Sequence, residues 1–339
     1  MKTFLAGSLI AVAAVFAAVM WDARRHLSEE WQLQGEELIP VYPGNSIRNI
    51  IQYVEDRRFI SNTRTGAYAA IYLRIRGLGA SIRAGEYQVK PGITTLQFLR
   101  LLTSGKTFFH SVTLIEGWRF SQALKTLQGH KAIRKTLAPG KPSDIMKLLG
   151  ASGVPAEGSL LPETYHFAAG ATDLSLLRQM RQAMKATLEE QWQSRVSDLP
   201  YQKPMEALVM ASIVEKETGR ASERSEIAGV FVRRLLRKMK LQTDPTVIYG
   251  LGERFDGNLR RRDLRRDTPY NTYTRYGLPP TPICLPGRAA IHAALHPSPG
   301  DALFFVSRGD GSHYFSATLA QHNQAVREYQ IKPAKKKKT

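Results

Sequence analysis

The chain opens on a long apolar run and then changes its hydrophobic period several times. From Thr3 to Trp21 ("TFLAGSLIAVAAVFAAVMW") 19 residues pass without a charge, long enough to cross a bilayer as a helix. Trp21, Arg24 and Arg25 follow where a membrane–water interface would put them. Ala17 and Ala18 leave a cleaved signal peptide open, but such apolar regions usually run about 7–15 residues, so an uncleaved anchor is the reading adopted. Charge counting, with Lys2 before the run and Arg24, Arg25 and His26 behind it, would hold the bulk of the chain in the cytoplasm. Residues 1–22 are read as a short tip and anchor, and 23–36 as a polar linker.

Beyond the linker, "VYPGNSIRNIIQYV" from Val41 and "VKPGITTLQFLRLL" from Val89 align at an offset of 48 residues. Each copy ends a short strand, turns at Pro-Gly and offers Ser46 or Thr94 as a helix N-cap. Ile47, Ile50, Ile51 and Val54 in one copy, and Leu96, Phe98, Leu99 and Leu102 in the other, recur at helical spacing. With "AYAAIYLRIRG" between them, the two units predict a small α+β module over 37–108. It reads equally as a spacer or as a carbohydrate-binding module.

From residue 109 a larger α+β domain is expected, reaching 331. "SVTLIEGWRF" (111–120) is strand-like, and "FSQALKTLQG" predicts a helix closed at Gly129. Leu177, Met180, Met184, Leu188 and Trp192 form the core stripe of a long helix, and a second helix is expected from Ser222 to about Met239. Past 240 the chain is rich in Gly, Pro, Asn and Tyr, which predicts loops with short strands such as "DALFFVS". The tail, 332–339, is a Lys-rich run expected to be disordered.

One helix carries an anomaly. On a wheel of about 100° per residue over 205–218, Met210, Ile213 and Val214 lie within about 60° of Glu217, whereas Glu215 lies about 160° away. Glu217 therefore sits on the apolar face near the negative end of the helix dipole, ahead of Gly219 as the expected helix stop. Both influences raise a carboxyl's pKa, which suits a general acid. The bland alternative is a structural Glu satisfied by backbone or Arg. Glu215 is read as structural or as support for its neighbour.

Net charge of +19 at pI 10.1 predicts attraction to something anionic. No nucleic-acid-binding motif accompanies it, so nucleic acid is not an expected partner. Cys284, the single cysteine, excludes an internal disulfide. His292 and His296 stand at i and i+4 on a helix but lack the Glu of a zinc-protease motif, and no metal or cofactor is expected.

"EGSLLPETYHF" (157–167), "LQTDPTVIYGLG" (241–252) and "PYNTYTRYGLPPTPICLPG" (269–287) are polar-aromatic segments. Together with "MASIVEKET", "RAAIHAALHP" and "LAQHN", they make the chain resemble the endolytic murein transglycosylase, or YceG-like, family across nearly all of residues 1–331. "AGEYQVKPGITTLQFLRLLTSGK" resembles that family's membrane-proximal LysM-like module. Three departures stand out: Cys284, the residue before the Pro of "LPET", and the Lys-rich tail.

The resemblance implies a single-pass inner-membrane protein with a cytoplasmic tip and anchor at residues 1–22 and its YceG-like domain in the periplasm, against the charge count, and with a lysozyme-like catalytic helix. It implies cleavage within peptidoglycan glycan strands at the β-1,4 link between N-acetylmuramic acid and N-acetylglucosamine, leaving 1,6-anhydro ends. The acid directly before the Thr maps to Glu217, the residue the wheel selects independently. Expected sugar contacts are Gln242, Asp244, Tyr249, Asn271, Tyr273, Glu163 and Tyr165. Asp244, read before Pro245 as a turn residue, also leaves open a muramidase-type hydrolase, since glycosidases generally use two carboxylates; a non-catalytic peptidoglycan-binding scaffold is the other alternative. Peptidoglycan synthases are partners implied by the family alone.

Overall fold

A computed structural model describes residues 2–60, 64–78 and 82–331, with side chains placed from Ile10 onward. The Lys-rich tail and Met1, the first residue of the expected cytoplasmic tip, lie outside them. Helices and small two-stranded sheets make an α+β protein. The chain divides into two units: one runs to His110 and takes in His166–Gly170, and the other holds Ser111–Tyr165 and the chain from Ala171.

The first unit comprises α1 (Lys2–Ser28), β1 (Glu37–Val41), α2 (Ile47–Asp56), α3 (Arg64–Ile75), β2 (Gly85–Val89) and α4 (Thr95–Ser104). No helix among the described residues is long and apolar enough to cross a membrane. From Ile10 the apolar stretch of α1 ends at Trp21, and Asp22, Arg24, Arg25 and His26 continue the same helix. The expected linker is also structured. Leu27, at the end of α1, and Trp31 are buried in the unit's core, and the Trp31 indole N–H donates to Thr95 Oγ1 at 3.0 Å.

The internal repeat has the local geometry its spacing predicts. Gly44 (φ +83°) and Gly92 (φ +87°) take the left-handed turn in the two copies. Ser46 caps α2 by accepting the Asn49 N–H, and Thr94 caps α4 by accepting the Gln97 N–H. In each case the side chain three residues on returns to the cap's own N–H, which closes a capping box. The strands of the two copies pair with each other, Glu37 opposite Val89 through to Val41 opposite Gly85. The copies thereby bury Ile50, Ile51 and Val54 with Phe98, Leu99 and Leu102 in one core.

The remaining elements are β3 (His110–Thr113), α5 (Phe120–Gly129), α6 (Pro142–Leu148), β4 (Thr164–Phe167), α7 (Asp173–Gln193), α8 (Pro204–Glu217) and α9 (Arg224–Leu236). After them come α10 (Asp244–Leu251), α11 (Arg261–Arg265), α12 (Arg288–Leu295), β5 (Phe304–Ser307), β6 (His313–Ser316) and α13 (Leu319–Val326). The middle of α8 is the core of the second unit: Ala207 through Val214 are all buried. It packs most extensively on α12, and also on α9, α7 and α10. Ser212 ties in the Pro-rich segment, since its Oγ accepts the Ile283 N–H at 3.0 Å and its carbonyl faces the buried Cys284 thiol at 3.2 Å. Beside it, α9 passes so close to the Ser298 carbonyl that a Cβ on Gly229 would lie 2.5 Å from it.

Two sequence expectations change here. The region past 240 holds two eight-residue helices, α10 and α13, where loops and strands were expected, while α12 is the helix expected around His292. Asp244-Pro245 is a helix start and not a free turn, because Pro is accommodated in the first helical turn. Helix α8 stops at Glu217 itself: Thr218 is extended (φ −143°, ψ 136°), and Gly219 takes no left-handed cap.

Candidate active site

A cavity of about 480 Å³ opens beside the last turn of α8, and Glu217 lines it. From Ala207 to Val214 α8 is buried, so its C-terminal end is where a side chain can leave the core without being enclosed. Glu217 is half-buried. Burial pushes its carboxyl up to about 7, aided by the charge of Asp244 and opposed by the Thr243 hydroxyl and by His313. Thr243 Oγ1 donates to Glu217 Oε1. Thr243 is itself fixed, because it is buried and its N–H donates to Thr272 Oγ1 at 3.1 Å.

Three predicted contacts share this cavity with Glu217: Gln242, Asp244 and Tyr273. Gln242 holds φ +52°, a strained conformation for a residue with a Cβ. Its N–H donates to the Thr272 carbonyl at 3.2 Å, and its amide oxygen accepts from Arg234 at 3.4 Å. Asp244 is exposed at the start of α10, and its Oδ1 accepts the Tyr273 hydroxyl at 2.6 Å. Burial, then the Asp244 contact, pushes the Tyr273 phenol up, so it stays a neutral donor.

The other four predicted contacts lie elsewhere. Asn271 is buried, and its amide N–H groups go to the carbonyls of Asp263, Leu264 and Arg266 at 3.3, 3.0 and 2.7 Å. Its oxygen accepts the Tyr273 N–H at 2.8 Å, so Asn271 positions Tyr273 and has no polar group left for a sugar. Tyr249 lines a second cavity of about 550 Å³, with Arg119 over its ring and its hydroxyl 3.3 Å from Glu157 Oε2. Glu163 pairs with Arg288 at 2.6 Å. Tyr165 is buried, with its hydroxyl donating to the Leu161 carbonyl at 2.8 Å.

Glu215 leaves α8 on another side. Its Oε2 accepts the Gly287 N–H at 2.9 Å, and its Oε1 faces Arg224 at 3.4 Å. Burial raises this carboxyl too, but a cation and a backbone amide hold it in place. His292 and His296 stack at 4.2 Å, and His296 reaches the Ser194 carbonyl. Among the described residues no cluster of His, Cys, Asp and Glu could hold a metal.

Part of the cavity wall escaped sequence reasoning. Phe304 and His313 come from the β5–β6 pair, about 90 positions after Glu217 in the chain. His313 is held there by Glu223, at 2.7 Å. Arg234 is buried below Phe304, its charge 5.0 Å from the ring centre, and donates to the carbonyls of Leu303 and Leu241. Nothing local in the sequence marks these residues as neighbours of Glu217. Thr243 could have been found, since it lies between two residues that were singled out.

The YceG-like family model matches residues 39–328. The chain belongs to the YceG-like family. An endolytic murein transglycosylase of Bacillus subtilis (strain 168) is 30% identical over 313 residues, covering 86% of this chain and 84% of the relative. A Streptococcus pneumoniae protein of the same name (serotype 2, strain D39) is 29% identical over 282 residues; the match covers 73% of this chain and 51% of that longer relative. Among solved structures, a YceG-like protein of Listeria monocytogenes is 28% identical with a TM-score of 0.55, over 86% of this chain and 99% of that one. The family match spans both units, so the module and the cavity-bearing domain are both family features.

Proposed function

We propose that this YceG-like protein is an endolytic murein transglycosylase, with Glu217 as both its acid and its base. The observation that carries the reading is a carboxyl pushed to about 7 at the wall of an open cavity, bonded to a neutral hydroxyl and not to a cation. Such a group holds its proton near neutral pH and can still reach a ligand.

The mechanism follows from that placement. Thr243 donates to Oε1, so Glu217 carries its transferable proton on Oε2. That proton passes to the glycosidic oxygen as the C1–O bond of muramic acid breaks, and an oxocarbenium-like centre develops at C1. The ionised Glu217 then takes the proton of the same sugar's C6 hydroxyl, whose oxygen closes on C1 to form the 1,6-anhydro ring. Protons balance and no water is consumed; the tethered hydroxyl supplies the nucleophile at high effective concentration. Gln242, Tyr273 and Asp244 are the sugar contacts in this scheme, with Tyr273 presented by Asn271.

Membrane attachment belongs to the same proposal. Ile10, Val12, Val15, Phe16, Val19 and Trp21 of α1 are exposed, as are Ile71 and Ile75 of α3, which supports contact with lipid. The reading places the chain on the inner membrane, single-pass, with its second unit in the periplasm. A LysM-like role for residues 37–108, in holding glycan, goes with it, and a glycan-synthesising enzyme is the expected neighbour.

The presence of Asp244 in the same cavity favours a second reading, hydrolysis with Asp244 activating water. Purified peptidoglycan digested by the full chain and analysed by mass spectrometry separates the two. Anhydromuramic ends, retained in Asp244→Asn, are the expected result. Reducing ends one water heavier would make the protein a hydrolase, and uncut glycan that still binds would leave a scaffold.

A further inference from the structure

A cluster of arginines lines a cavity that shares no residue with the one beside Glu217. Six arginines fall within residues 254–266: Arg254, Arg260, Arg261, Arg262, Arg265 and Arg266. Four of them, Arg254, Arg260, Arg262 and Arg266, line one cavity of about 300 Å³, floored by Leu251 and Phe255. That volume equals roughly ten waters at ~30 Å³ each, room enough for a diphosphate.

The acids nearby are mostly committed. Asp256 binds Arg260 through both oxygens, at 3.1 and 2.6 Å. Asp263, the one carboxylate in the lining, accepts the Arg260 backbone N–H at 2.9 Å and lies 3.9 Å from Arg262. Asp267 is taken by Arg275. Among the described residues, Arg254, Arg261, Arg265 and Arg266 have no acidic partner. Like charges gathered in a concave site focus a positive potential into it.

The backbone beneath the cluster is held. Asn271 binds the carbonyls of Asp263, Leu264 and Arg266 with one buried amide. The end of α11 and Arg266 after it are therefore held in place, which cuts the ordering cost of binding at Arg266. Guanidinium groups lining one cavity fit the oxygens of a phosphate better than a lone carboxylate, because each can donate two parallel bonds.

We propose that this arginine-lined cavity is a binding site for a phosphate-type oxyanion, most simply a diphosphate or a phospholipid headgroup. It is separate from the Glu217 cavity and stands whether or not the chain cuts glycan. Asn271 joins the two, since the same amide that fixes the Arg266 backbone fixes Tyr273.

The test is calorimetric titration of sodium pyrophosphate into the full chain in a non-ionic detergent, at low and high salt. Wild type is expected to bind, more weakly as salt rises. Arg262→Ala with Arg266→Ala should lose about tenfold or more in affinity, since hydrogen bonds to charged groups are lost. Arg100→Ala, which removes an exposed cation from α4, should bind as wild type does. Competition by micelles doped with phosphatidylglycerol, but not by phosphatidylcholine, would identify the source as a lipid headgroup. Pyrophosphate binding without that competition would identify a soluble diphosphate. No binding by wild type, or equal loss in Arg100→Ala and in the cavity variant, would overturn the proposal.

Discussion

Glu215 and Glu217 leave the same helix end two residues apart, and burial raises both carboxyls, yet their surroundings differ in kind. The Glu215 region is closed: Arg224, the Gly287 N–H and the nearby Glu116 carboxylate pack so tightly that a Cβ on Gly287 would lie 1.8 Å from Glu116 Oε1. The Glu217 region is an open cavity with a neutral hydroxyl as partner. A cation and an amide N–H turn one buried acid into a brace between α8, α9 and α12. Their absence leaves the other with a proton to give. The type of partner, and not the degree of burial, separates structure from chemistry.

Substitutions sharpen that contrast, the largest effect first. Glu217→Gln should lower glycan cleavage by about 10²–10⁴-fold, the usual worth of a general acid, in a digest followed by mass spectrometry. The same variant should not unfold. Folded wild type binds an extra proton between the ordinary carboxylate pKa of 4.5 and about 7, so its stability falls as pH rises through that window. The melting temperature of Glu217→Gln should therefore exceed that of wild type above pH 7 and converge with it below 4.5.

The brace should respond in the opposite way. Arg224→Met leaves Glu215 buried without its cation and should cost about 3–5 kcal/mol, read from denaturant melts. Glutamine at 215 is expected to lower stability while cleavage changes little. Asn271→Ala should cost roughly 1–3 kcal/mol and should also lower kcat/KM, because Tyr273 loses its support. The smallest effect belongs to Thr243→Val. Its hydroxyl favours ionised Glu217, so removing it should move the alkaline limb of the pH–rate profile upward by roughly one unit.

How far the sequence discloses this contrast depends on the range of the interaction. The helical wheel separates Glu215 from Glu217 because both directions are set by one helix. The repeat of 37–108 was legible for the same reason, since its turns, caps and apolar spacing are all local. Gln242, Asp244 and Tyr273 were found as polar-aromatic residues, but Asn271 and Tyr165 look identical in sequence and turn inward. Whether an amide faces a sugar or three backbone carbonyls depends on where the end of α11 and Arg266 pass. His313 and Phe304 were invisible because only the packing of the β5–β6 pair onto the second unit's core brings them to Glu217. Helix α10 was missed by a misread local signal, Asp-Pro taken as a turn where it begins a helix.

The account rests on a carboxyl that keeps its proton near neutrality, and that can be observed directly. The full chain, labelled with ¹³C at the glutamate side-chain carboxyl, would be titrated by NMR beside Glu217→Gln to assign the resonance. A signal missing from the variant and titrating near pH 7 in wild type is the predicted result. A Glu217 signal titrating at the ordinary value of 4.5 would mean that the cavity holds a solvated anion at neutral pH, and Glu217 could not be the acid.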